Sequence, residues 1–227
     1  MHGRKETSRL PRMVWVAVHA AQVAVSLWLL LGGGYAMVGR WFGASWTAGD
    51  PDRSIVLAAF AIVLWARMTL TALVLLRRRM EWGEAIAVMF ATAIYQWGFA
   101  LLGAGTSGSL DVLDVIGIGL YVIGSFFNTG SELQRRAFKA KPEHAGQLYS
   151  GGLFALSRHP NYFGDALWGV GWALVTHTAW SIIIVAIEIG GFVFSQIPML
   201  DKYLEEHYGD AYRTWARRTK RFVPFVY

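Results

Sequence analysis

The run Ser157-Arg158-His159-Pro160-Asn161-Tyr162-Phe163-Gly164-Asp165 gathers a guanidinium, an imidazole, an amide, a phenol and a carboxylate in one short segment. It closes a polar interval, Asn128–Asp165, that is the longest in the chain without a long apolar run of its own. Gly151-Gly152 precedes Leu153-Phe154, and Pro160 disfavours helix at His159, so the backbone is expected to break where the chain returns to apolar sequence. Irregular backbone at membrane depth survives only when buried in protein or facing a watery cavity, which favours a pocket over a plain loop. The tail, Met199 to Arg218, adds ring faces from Tyr203, Tyr208 and Tyr212 and forked donors from Arg213, Arg217 and Arg218. Rings and cations together suit the base and phosphates of a nucleotide. The bland alternatives are that the loop is basic because of membrane insertion, and that the tail is an interfacial helix holding anionic lipid headgroups.

Composition requires a membrane setting for these residues. Of the 227 residues 55% are hydrophobic, 16% are charged and 11 are Trp, too little polar surface for a soluble chain of this size. An all-α polytopic membrane protein is expected, a single membrane-embedded domain over 1–227 in which the spans of 1–109 line a lipid route and 110–227 bind the cofactor. Six spans are predicted: Met13–Leu31, Ser54–Leu76 with Ser54 as N-cap, Ala85–Leu102, Leu110–Phe127, a stretch from about Tyr162 to Val175, and Trp180–Phe194. The last two form a hairpin around Thr176-His177-Thr178, and Arg40 to Arg53 reads as a loop. The first span is too long for the core of a signal peptide and no A-x-A site follows it, so it is expected to be retained. The sequence contains no cysteine, which excludes thiolate chemistry and disulfides.

Charge orients the bundle. Four Lys or Arg in the first twelve residues, three at 77–84, five between 129 and 161 and six from Lys202 onward place 18 of the 21 on one side. Both termini are therefore expected in the cytoplasm, with an amphipathic helix at the C-terminus. A net charge of +6 split between apolar runs does not form a nucleic-acid surface. His19 and Gln22, one turn apart in the first span, are expected to satisfy a neighbouring helix. Arg67, Glu84, Gln96 and Glu188 are the polar residues expected at membrane depth, able to line a route for a lipid substrate. Pairing within the protein, as between Arg67 and Glu188, is the plainer account of them. The scattered His residues imply no metal.

Glu132 to Lys141 with Pro142, then Gly152-Leu153-Phe154, the run SRHPNYFGD and the ending YRTWARRTKRFVP together resemble the C-terminal domain of the steroid 5-alpha-reductase family. Its broader relatives include isoprenylcysteine and phospholipid methyltransferases, which share a shorter Arg-His-Pro-x-Tyr core. The resemblance covers about Leu110 to Tyr227 and implies a cytoplasm-facing NADPH site. By that resemblance Glu132, Asn161 and Asp165 hold the cofactor, with Asn161 and Asp165 at its nicotinamide and Tyr208 with Arg217 or Arg218 toward its phosphates. Lys139, Lys141, Arg158, Arg217 and Arg218 are cations enough for three phosphate groups if they converge, with His159 and Tyr212 beside them. Reduction of an enone leaves an enolate oxygen that needs a proton, for which Tyr162 or Tyr95 is the candidate and Asp165 a catalytic neighbour. Glu132 stands where the family usually has Asp, and the amino-terminal half is short, so the steroid-like or isoprenoid substrate is not fixed. The rival expectation is a methyltransferase using S-adenosylmethionine, for which Glu205-Glu206 resembles an acidic pair. With no retention or lipidation signal visible, a bacterial cytoplasmic membrane is expected.

Overall fold

The computed structural model of the chain describes residues 9–76 and 78–227. Arg4, Lys5 and Arg77, counted above among the orienting charges, lie outside the described residues. The described chain is helical without strands: α1 Arg9–Leu31, α2 Gly34–Trp41, α3 Pro51–Leu70, α4 Trp82–Gly103, α5 Val112–Lys139, α6 Pro160–Thr176, α7 Ser181–Gly191, α8 Ile197–Tyr208 and α9 Asp210–Arg218. π-turns at Thr71–Leu75 and Phe192–Gln196 extend α3 and link α7 to α8. Five segments are long and apolar enough to cross a bilayer: Arg9–Leu31, Pro51–Leu75, Trp82–Gly103, Val112–Lys139 and Ser181–Tyr208. The protein is an integral membrane protein of the helical class. The fifth expected span, about Tyr162 to Val175, forms α6, whose 17 residues reach about 25 Å at ~1.5 Å per residue, just under the ~30 Å of a hydrocarbon core.

The chain divides into two compact units, Met1–Val115 with Trp172–Ile184, and Ile116–Gly171 with Val185–Tyr227. In the first, α1 packs on α3 and α4. Gln96 on α4 is fully buried and ties all three: its Nε2 donates to Ala61 O at 3.1 Å and lies 3.0 Å from His19 Nε2, and Ser26 Oγ donates to Gln96 O at 2.9 Å. Gln22 Nε2 donates to Met89 O at 2.8 Å. His19 and Gln22 thus serve neighbouring helices as expected. The Gln96 amide is engaged in joining helices, the plainer of the two accounts given of it. Glu84 likewise pairs within the protein. It sits in the first turn of α4, paired with Arg78 (Nη1 to Oε2, 2.7 Å), because a carboxylate there complements the helix N-terminus.

The start of α3 differs from expectation. Asp50, rather than Ser54, caps it by accepting from Arg53 N at 2.9 Å, with Pro51 in the first turn. An aspartate before proline is the stronger cap because its carboxylate reaches the free amides while proline has none to satisfy. The expected loop from Arg40 begins only after α2. Arg53 is buried and forms a two-point ion pair with Asp114, at 2.8 Å and 3.2 Å, beside His177. Asp111, Asp114 and His177 have metal-ligand spacing, but Arg53 Nη2 stands 3.4 Å from His177 Nε2 and already supplies the cation.

In the second unit α5 and α6 meet along glycines spaced seven apart. A Cβ on Gly124 would stand 2.5 Å from Gly164 O and Trp168 N; one on Gly171 would stand 2.6 Å from Tyr121 N and closer still to Gly117 O. Small-residue seams let helix backbones touch. The 28-residue α5 runs on through Lys139, where the sequence suggested loop after Phe127. Glu132 and Arg135 pair across one turn, and Leu133, Gln134, Arg136 and Ala137 favour helix, so nothing stops it at the membrane surface. At ~1.5 Å per residue α5 is about 42 Å long, over ten ångströms more than the hydrocarbon core needs. Its end meets the end of α8, where Lys139 Nζ donates to Tyr208 Oη at 2.9 Å. The expected single tail helix breaks at Gly209, whose φ of +52° favours glycine, giving α8 and α9.

Candidate functional site

Because Gly124 and Gly164 bring backbones together, Asn128, one turn past Gly124, meets the residues flanking Gly164. Asn128 Nδ2 donates to Asp165 Oδ1 at 2.8 Å and to Asn161 O at 3.3 Å. Trp168 Nε1 donates to the same Asp165 oxygen at 2.7 Å. Asn161 and Asp165, singled out from the sequence, therefore share one group with Asn128, whose role the sequence did not reveal. Spacing was the available signal: Asn128 falls four residues past Gly124, on the same face of α5. Tyr162, in the first turn of α6, stacks on Phe192 (4.7 Å between centroids) and on His159 (5.7 Å).

A second group centres on Asp201, a carboxylate on α8 that the sequence reading passed over. It accepts from His159 Nε2 at 2.8 Å, and its other oxygen lies 3.0 Å from Arg221 Nε and 3.5 Å from Arg158 Nη1. Arg158 Nη1 donates to Tyr212 Oη at 2.6 Å. Burial, then the hydrogen bond to Asp201, push the Tyr212 phenol well above its usual range, so it stays protonated and can donate to that carboxylate. His159 is itself buried, its amide held by Ser157 Oγ at 3.1 Å. The loop before α6 is pinned to the chain's last segment: Arg158 N donates to Lys220 O at 2.8 Å, Ser157 Oγ to Phe222 O at 2.7 Å, and Trp215 Nε1 to Phe154 O at 3.1 Å. The central polar run and the tail thus fold together in one unit.

Two hollows flank α9. One, of about 640 Å³, is lined by Gln147, Tyr208, Thr214, Trp215 and Arg218, among others. The other, of about 620 Å³, is lined by Arg158, Asp201, Tyr212, Arg217 and Arg221, among others. Arg217 and Arg218 fall in different hollows because successive helical residues point about 100° apart. The five cations are distributed as follows: Arg158 shares one hollow with Arg217, Arg218 joins Tyr208 in the other, and Lys139 and Lys141 line neither. Lys139 instead holds Tyr208 and Gln147 O, Lys141 is exposed, and Glu132 pairs with Arg135. Glu205 pairs with Arg213 at 2.9 Å. Of the remaining predicted residues, Arg67 is buried on α3 and Tyr95 half-buried on α4, both in the first unit. Glu188 is buried in the second unit, over Gly169, where a Cβ would stand 2.6 Å from its Oε2.

A family described as "Protein of unknown function (DUF1295)" matches residues 85–219. Among curated proteins, the chain is 32% identical over 88 residues to protein-S-isoprenylcysteine O-methyltransferase B of Arabidopsis thaliana, covering 39% of this chain and 45% of that protein. It is 33% identical over 85 residues to the probable O-methyltransferase ustE of Ustilaginoidea virens, covering 37% and 30%. To steroid 5-alpha-reductase DET2 of Arabidopsis thaliana it is 30% identical over 115 residues, covering 50% and 42%. Each match spans less than half the length of the relative.

Proposed function

We propose, from the premise that this chain belongs to the DUF1295 family and with it to the steroid 5-alpha-reductase and isoprenylcysteine methyltransferase superfamily, that it is a membrane enzyme acting on a lipid with NADPH. The observation that carries this reading is the group formed by the Asn128 amide of α5, the Asp165 carboxylate and the Asn161 backbone carbonyl of α6. Amide and carboxylate together offer both donors and acceptors, the complement of a carboxamide such as the one on nicotinamide. S-adenosylmethionine has no carboxamide for such a group to recognise. Asn128, Asn161 and Asp165 would hold that end, while Tyr208, Trp215 and Arg218, with Lys139 behind Tyr208, would hold the adenine and phosphate end. Glu132, His159 and Lys141 are proposed to contribute to holding the cofactor.

NADPH, when bound, supplies a hydride. The chain's own work is to orient, exclude water and place a proton. Tyr162 Oη, on a ring fixed between Phe192 and His159, is the donor proposed for an enolate oxygen of an enone lipid; Tyr95 is the alternative donor. A steroid-like or isoprenoid lipid would enter from the bilayer, and Arg67, Glu84 and Gln96 of the first unit and Glu188 of the second are each proposed to meet lipid within their own unit. A second reading, methyl transfer from S-adenosylmethionine, is favoured by the O-methyltransferase relatives and by the mixed charge around Asp201, which could face an amino-acid zwitterion.

Purified protein in lipid nanodiscs separates the two. NADPH fluorescence is expected to change on binding, and Asn128→Ala or Asp165→Ala should weaken it by roughly ten- to a hundredfold, the range for a hydrogen bond to a charged group. Retention of labelled S-adenosylmethionine with no NADPH response would transfer the reading to methyl transfer. We place the tail in the cytoplasm and the protein in a bacterial cytoplasmic membrane. Since the chain has no cysteine, Lys220→Cys is expected to react with an impermeant maleimide in inside-out vesicles and not in intact cells. The reverse labelling would invert the topology.

A further inference from the structure

The hollow between α8 and α9 carries more positive charge than its own carboxylates balance. Arg158, Lys202, Arg213, Arg217 and Arg221 line it against Asp201 and Glu205. Asp201 is already engaged by His159, Arg158 and Arg221, and Glu205 by Arg213. Arg217 Nη2 meets the neutral Thr214 Oγ1, at 3.1 Å, and Lys202 stands 3.9 Å from Glu206. Arg158 Nε is buried and makes no hydrogen bond among the described residues. Guanidinium groups arranged around one space are the usual receptor for a phosphate, whose oxygens take paired N–H donors.

The surroundings indicate where such a phosphate comes from. Met199 and Tyr203, one turn apart on α8 on either side of Lys202, are 63% and 56% exposed, and Phe225 and Val226, just past Arg221, are 79% and 71% exposed. Cations interleaved with exposed apolar side chains are the signature of a surface lying at a membrane interface, where the chains enter lipid and the cations meet headgroups. We infer that this hollow is a phosphate site whose occupant is the headgroup of an anionic membrane lipid. The inference rests on the NADPH reading, which uses the amide group at the start of α6 and the hollow holding Tyr208 and Arg218 and leaves this hollow free of cofactor.

The test uses the full chain in phosphatidylcholine nanodiscs with and without phosphatidic acid, reading retained lipid by native mass spectrometry. Phosphatidic acid should be retained in preference to phosphatidylcholine. Arg217→Gln with Lys202→Gln, both at exposed positions, should reduce that preference by about thirtyfold, the scale for two cations near a headgroup. Arg221→Gln should reduce it further. Inorganic phosphate, titrated calorimetrically in phosphatidylcholine discs, should bind far more weakly than the lipid. Equal binding of inorganic phosphate, lost in the same variants, would overturn the lipid assignment and leave a site for soluble phosphate. No preference for phosphatidic acid, or a preference unchanged in all variants, would overturn the site. Loss of NADPH binding in Arg217→Gln with lipid preference intact would give the hollow to the cofactor and overturn the inference equally.

Discussion

Gly164→Ala is expected to separate α5 from α6 and dismantle the amide group with a single methyl. The added Cβ would stand 2.5 Å from Gly124 O and nearer still to Asn128 N, both backbone atoms with no rotamer to adjust. Ordinary contact needs about 3.5 Å, so the helices must part by roughly 1 Å. The 2.8 Å bond from Asn128 to Asp165 then passes beyond hydrogen-bond range. Overpacking of this kind costs about 1–3 kcal/mol, and the lost bond to a carboxylate about 1.5–3 kcal/mol in whatever it was holding. Thermal unfolding in detergent should fall, and NADPH affinity should drop by more than tenfold. Gly130→Ala on the same helix is the control. Its Cβ would meet Phe126 at 3.6 Å, an ordinary contact, and the variant should behave as the parent. An unchanged midpoint and unchanged affinity in Gly164→Ala would remove the seam from the account of the site.

That seam also marks how far the sequence could be read. Hydropathy gave the spanning segments because each is a run long enough to cross lipid by itself, and a run needs no partner to be visible. The hairpin at Thr176-His177-Thr178 and the break at Pro160 were legible for the same local reason. Asn128 and Asp201 were not, because their meaning lies in what another helix brings to them: Asn161 and Asp165 in one case, His159 and Arg221 in the other. Arg53 was read as a loop residue, yet Asp114 lies sixty-one residues on and pairs with it in a buried place. Whether five cations could share one space was left open by the sequence, and helical geometry sets Arg217 and Arg218 in different hollows. For Glu84 and Gln96 an internal partner was legible as the plainer account, but not which partner: a local ion pair with Arg78 and a three-helix joint.

Asp201→Ala is expected to be the most damaging substitution among the polar residues of the second unit. Its carboxylate is 8% exposed and balances His159 at 2.8 Å and Arg221 at 3.0 Å, with Arg158 at 3.5 Å. Removing it leaves two guanidinium groups facing one another without an anion, and leaves the Tyr212 hydroxyl without its acceptor. Breaking a buried pair from one side costs about 3–5 kcal/mol, several times the worth of an exposed one. The strain falls on one place, the junction of the loop before α6 with α9 and the last residues, so the expected failure is local. Limited proteolysis should cut near Gly209 and in the 140–156 loop while the spanning helices stay protected, and thermal unfolding should show an early step. Asp201→Asn, which keeps shape and one acceptor, should fall between. Arg213→Ala makes the comparison: its pairs with Glu205 and Asp210 are both at 2.9 Å but exposed, and their loss should change stability by less than about 1 kcal/mol. If Asp201→Ala and Arg213→Ala proved equally mild, the ion group would not be what holds the tail against the central run, and the hollow beside α9 would need another architect.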